Sequence, residues 1–172
     1  MSAPSIVRIA GPGDYQECWR LFLMGHKENG LFPIAPEKVQ FFLTRVLNPE
    51  FIPLGDTGPR GAIGVIGPVG SLEGLCFVII SNYWYTYAKN LDEHIVFVDP
   101  EHRRSNHAQA LIEWMKSQVE ITGLPLMTGI ISTQRTEAKC RLYRRMLPKV
   151  GEFFMISPKG ASLAPALVAL SS

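Results

Sequence analysis

Cysteine is scarce: three residues in 172, Cys18, Cys76 and Cys140, all far apart. No CxxC pair and no Cys/His ligand spacing occurs, which argues against a disulfide framework or a zinc site, so buried reduced thiols and no metal are expected. An excess of one charge is also missing. Lys+Arg 17 against Asp+Glu 15 leaves a formal net charge of +2, too little for a chain-wide nucleic-acid footprint. No apolar run approaches the roughly 20 residues of a spanning helix. The opening MSAPSIVRIAGPGD has no long apolar stretch of the signal-peptide kind. These absences predict a cytoplasmic protein with no membrane segment. Repeats, low-complexity tracts and linkers are lacking too, so one domain is expected. A hydrophobic content of 47% supplies its core.

Hydrophobic periodicity orders the chain. Ser5–Ala10 reads as a short strand, and Asp14 stands where it can cap a helix. That helix carries the stripe Tyr15, Cys18, Trp19 and Phe22 and ends near Gly30. A second starts at Pro36, carries Val39, Phe42, Leu43 and Val46, and closes at Asn48-Pro49. The turn-rich segment 55–60 follows. GAIGVIGP and LEGLCFVII read as a hairpin, running on into the aromatic stretch Asn82–Tyr87. A strand at His94–Val98 precedes a helix whose face is Ala108, Leu111, Ile112, Met115 and Val119, ended by Gly123. LMTGIIS is a strand, Glu137–Leu147 a helix and GEFFMIS a last strand. The fold class is therefore α/β (α+β), a mixed, mostly antiparallel sheet with helices on both faces and one parallel β-α-β crossover. Residues 1–158 form the domain and 159–172 an apolar tail.

The crossover junction holds the densest chemistry: Val98-Asp99-Pro100-Glu101-His102-Arg103-Arg104-Ser105-Asn106-His107-Ala108. A helix N-terminus presents unpaired N–H groups and a positive dipole end, a ready phosphate site. Arg103 and Arg104 add charge, Ser105 a hydroxyl, and small Ala108 room. An ordinary solvated turn capped by Ser105 or Asn106 fits the same residues. Val98, Pro100, Arg103, Ala108 and Leu111 fall in the register Val-x-Pro-x-x-Arg-x-x-Gly-x-Ala-x-x-Leu. Here the chain resembles the GNAT superfamily of acyl-CoA-dependent N-acyltransferases, with Asn106 in place of the first motif glycine. Glu137 to Leu147, EAKCRLYRRML, resembles the same family's tyrosine-bearing helix, and its RLYRR variant a compact phage-encoded branch.

The resemblance implies an N-acetyltransferase that moves an acetyl group from acetyl-CoA directly to a primary amine. It implies Phe97 and Val98 along the pantetheine arm and Arg103, Arg104, Ser105, Asn106, His107 and Ala108 around the pyrophosphate. Tyr143 would be the general acid for the thiolate and Glu93 the base, with His94 as competitor. For the acceptor, a small molecule or peptide amine, it points to Glu28, Tyr83 and Tyr85. A homodimer is compatible with it.

Blander readings stand beside each role. Tyr143 can anchor its helix, Glu93 can be a surface charge, and Tyr83–Tyr87 can pack or dimerise. A CoA-binding or protein-interaction module without catalysis is one alternative. A nucleic-acid-directed protein using Arg141, Arg144 and Arg145 is another, which the near-neutral charge disfavours.

Overall fold

A computed structural model describes residues 5–49, 58–132 and 134–152. The expected last strand beyond 152, the domain limit at 158, the tail 159–172 and the first half of the loop 55–60 lie outside the described residues. In order, the elements are β1 (Arg8–Ile9), α1 (Tyr15–Asn29), α2 (Pro36–Leu47), β2 (Gly61–Ile66), β3 (Gly74–Ser81) and β4 (Asn90–Val98). A 3₁₀ turn (Pro100–His102), α3 (His107–Thr122), β5 (Leu126–Met127) and α4 (Thr136–Met146) follow. The five strands lie in chain order, antiparallel except for β4 and β5, which pair parallel across the α3 crossover. None of the described helices is long and apolar enough to cross a membrane.

Strand alternation divides the core into two layers. Ile63, Val65, Leu75, Phe77, Ile79 and Phe97 meet Cys18, Leu21, Leu43 and Leu47 of α1 and α2 on one face. Ile66, Cys76, Val78, Val96 and Val98 meet α3 and α4 on the other. The helices bury a somewhat different stripe from the expected one. In α1 it is Cys18, Leu21 and Gly25, whereas Tyr15, Trp19 and Phe22 stand half-buried at its margin. Gly123 ends α3 at φ 68°, a left-handed position that glycine takes without Cβ strain.

Asp14 does not cap α1 with its side chain. Its buried carboxylate accepts from both Arg8 guanidinium nitrogens, at 2.7 and 2.8 Å, and from the Gly11 N–H at 3.0 Å. Those bonds staple β1 to the start of α1. Arg8 holds the Asp14 carboxyl below the ordinary aspartate range, against the effect of burial and with help from Gly11. A depressed carboxyl stabilises the fold above the unfolded-state value and loses that contribution as pH falls through the folded value. Asp14→Asn is thus expected to cost about 1–2 kcal/mol at neutral pH, trimmed by the partial exposure of Arg8, and nearly nothing in acid. Urea titrations at the two pH values measure the difference.

Candidate active site

The site begins with a break in the sheet. β4 pairs with β3 at Phe77↔Ile95 and then at Val78↔Glu93, so His94 is an extra residue, a β-bulge. The bulge resets the alternation. By spacing alone His94 would share a face with Val96. Instead its ring lies against Phe77 and Phe42, centroids 5.6 and 6.1 Å away, in the α1/α2 layer. Glu93 turns to the opposite layer, beneath α4.

β4 and β5 pair only at Leu91↔Leu126 and Asp92↔Met127. The expected strand Leu126–Ser132 stops there, and residues 129–132 form the far wall of a cleft beside β4. The cleft encloses about 400 Å³, lined by Glu93–Val98, Gly129–Ser132, the end of α1 and one side of α4. Among the described residues β4 has no strand partner on this side beyond Asp92. Alternate main-chain N–H and C=O groups of an extended strand therefore face the cleft.

At its inner end the Tyr143 hydroxyl donates to Glu93 Oε2 at 3.0 Å, and Thr128 donates to the same oxygen. Burial pushes the Glu93 carboxyl above the ordinary glutamate range; the Thr128 and Tyr143 bonds oppose that rise, and Asp92 adds to it. Burial and then the Glu93 charge push the Tyr143 phenol well above its usual value. Tyr143 thus stays protonated at neutral pH and touches a carboxyl that can exchange a proton with it.

At the mouth stands the junction motif. Asp99 is held by Arg20 at 2.8 Å and accepts from the Glu101 N–H at 3.1 Å, opening the 3₁₀ turn. Ser105 and Ala108 line the cleft where α3 begins. Asn106, the residue in the glycine place, sits at φ −91°. The turn needs no left-handed residue, and the side chain leans away to accept from Ser5 Oγ.

The arginines behave differently from a free phosphate clamp. Arg103 folds inward: it pairs with Glu28, donates to the Val98 carbonyl at 3.2 Å and lies 5.3 Å over the Phe97 ring. Arg104 is exposed and outside the cleft lining. His107 is 8% exposed, and its ring turns to Glu73 and Ser5 instead of the cleft. Of the six residues expected around a pyrophosphate, Arg103, Ser105 and Ala108 reach the cleft.

Glu28 reaches it as well, but not as an open cation site. Burial raises its carboxyl, yet Arg103 and Lys139 outweigh that and hold it below the ordinary range. Lys139 also donates to Ser132 at 2.8 Å and to Asn29. It leaves the basic face to Arg141, Arg144 and Arg145, which are exposed on α4. Sequence reasoning missed this polar bridge. The only signal was Lys139 at i+4 to Tyr143, which places both on one side of α4. Tyr83 and Tyr85 stack on each other at 5.7 Å in the β3–β4 loop and do not line the cleft.

No protein-family model matches the chain, nor does any curated protein. Solved structures share its fold. A Clostridium difficile 630 protein described as a possible acetyltransferase matches with TM-score 0.64 at 14% identity, over 91% of this chain and 98% of its own. A ribosomal-protein-alanine N-acetyltransferase from Brucella melitensis biovar Abortus 2308 matches with 0.58 at 15%, over 91% and 99%. AAC(6')-Iy, in complex with the bisubstrate analogue CoA-S-monomethyl-acetylneamine, gives 0.61 at 15%, over 92% and 100%. The fold is that of the GNAT acetyltransferases.

Proposed function

We propose that the protein is an acyl-CoA-dependent N-acyltransferase with acetyl-CoA as donor and a primary amine as acceptor. The observation that carries this is the cleft itself. An edge of β4 that has no strand partner among the described residues runs from a helix N-terminus at the mouth to a Tyr143–Glu93 pair at the inner end. Such an edge fits the amide-bearing pantetheine arm, and the first turn of α3 fits its phosphates.

When bound, the donor supplies the thioester carbonyl. The residues of this chain do the rest. Main-chain groups of Val98 align the arm, while Phe97, expected beside it, turns its own N–H and C=O to Leu75 of β3. Glu93 accepts the proton that the attacking amine gives up. Tyr143 gives its hydroxyl proton to the departing sulfur and is reprotonated by Glu93 across their 3.0 Å bond. One proton moves from nitrogen to sulfur, and both side chains end as they began. Thr128, donating to Glu93, is a positioning residue for this relay.

Isothermal calorimetry with acetyl-CoA, followed by thiol release against a panel of amines, tests the reading. Absence of acetyl-CoA binding at millimolar concentration overturns it. The pH profile adds a signature. Glu93 serves as base only when ionised, and burial holds its carboxyl above the ordinary glutamate range. The acid limb of kcat/KM is therefore expected to fall above that range, and Glu93→Gln to remove the limb and depress the plateau.

A further inference from the structure

Outside the cleft, three side chains remote in sequence converge on one point. Glu73 precedes β3, with its N–H bonded to Ile66 O and its C=O to Asp99 N, both at 2.8 Å. His102 ends the 3₁₀ turn, and His107 begins α3. His107 Nε2 lies 2.5 Å from Glu73 Oε2, and His102 Nδ1 lies 3.4 Å from the same oxygen. One ligand atom from each of the three lies within 4.8 Å of the others. The two imidazoles are nearly parallel, 15° apart with centroids at 6.0 Å.

We propose that Glu73, His102 and His107 bind a divalent first-row transition-metal ion that ties the junction turn to the β2–β3 hairpin. Two ring nitrogens and one carboxylate oxygen converge here from the 3₁₀ turn, the start of α3 and the β2–β3 hairpin. A dication satisfies all three. Two imidazole nitrogens and a carboxylate suit Zn(II), Co(II), Ni(II) or Fe(II) better than Mg(II) or Ca(II).

Bond lengths of about 2.0–2.2 Å place neighbouring ligand atoms roughly 3–3.5 Å apart. The His102–Glu73 spacing already has that value, and the His107–Glu73 contact needs to open by about half an ångström. The far nitrogen of His107 is engaged as well: Nδ1 lies 2.6 Å from Ser5 Oγ. An oxygen partner there fixes ring orientation and tautomer, as around histidines that ligate metals. The expectation of no metal rested on the cysteines; His102 and His107 stand five positions apart, and the sheet brings Glu73 to them.

The tag-free chain, stripped with a chelator and titrated with Co(II) and then Zn(II), provides the test. Expected are one equivalent of Co(II) with visible d–d bands, displacement by Zn(II), and a higher melting temperature with metal. His102→Ala alters a partly exposed side chain and should keep the metal-free fold by circular dichroism, while weakening Co(II) at least tenfold. Ser5→Ala should weaken it by about 10–100-fold without removing a ligand. Three results would overturn the site. They are no saturable binding, binding unchanged in both His102→Ala and Glu73→Gln, or a sulfur-to-cobalt charge-transfer band marking a cysteine ligand.

Discussion

Tyr143→Phe is expected to lower turnover by about 10²–10⁴-fold while leaving acetyl-CoA affinity within a few-fold of the parent. The phenol is a half-buried donor whose hydroxyl touches Glu93 in the lining of the cleft. Removing one oxygen leaves the ring packed against the α3 layer, so the cleft keeps its shape. On the proposed mechanism, what disappears is the proton for the departing sulfur and the exchange with Glu93. A phenol held well above its usual pKa is a weak acid for a thiolate. Its effectiveness depends on placement and on reprotonation by its neighbour. Single-turnover thiol release and calorimetry, run on the same preparation, separate the two expectations. Unchanged turnover would reduce Tyr143 to a helix anchor and favour a CoA-binding module instead.

The pairing of Tyr143 with Glu93 was legible in the sequence only as two separate roles. Nothing in HIVFV marks a bulge, because β-bulges are set by pairing between strands and not by local propensity. Yet the bulge at His94 is what turns Glu93 toward α4 and parts His94 from Val96. The same limit applies to the arginines. Arg103 in the motif register reads as phosphate-facing, but Glu28, 75 residues away, captures it. Tyr83 and Tyr85 were assigned by resemblance to an acceptor pocket, and the β3–β4 loop carries them elsewhere. Element order as far as α4, the parallel crossover and the sidedness of the sheet were legible, because periodicity and connection rules act locally.

Trp114→Ala is expected to be the most destabilising single change in the described core, at about 3–5 kcal/mol by chemical denaturation. The stripe read from α3 ran through Ala108, Leu111, Ile112, Met115 and Val119. The structure buries Trp114 and Gln118, and leaves Val119 half-buried. The cause lies in another strand. Gly64 of β2 has no side chain, and the indole occupies the space: a Cβ on Gly64 would come within 2.6 Å of the ring. A helix stripe cannot report a gap opened by a glycine 50 positions upstream. Gly64→Ala in the native background should therefore cost about 1–3 kcal/mol, since a rigid ring and not a flexible chain end must shift. In the Trp114→Ala background the same methyl enters an empty space and should be neutral or stabilising. A double-mutant cycle measures that change of sign as a coupling energy of about 1–3 kcal/mol. Additive effects would mean that the indole does not fill the space above Gly64, and the packing of α3 on the sheet would rest on Leu111, Ile112 and Met115 alone.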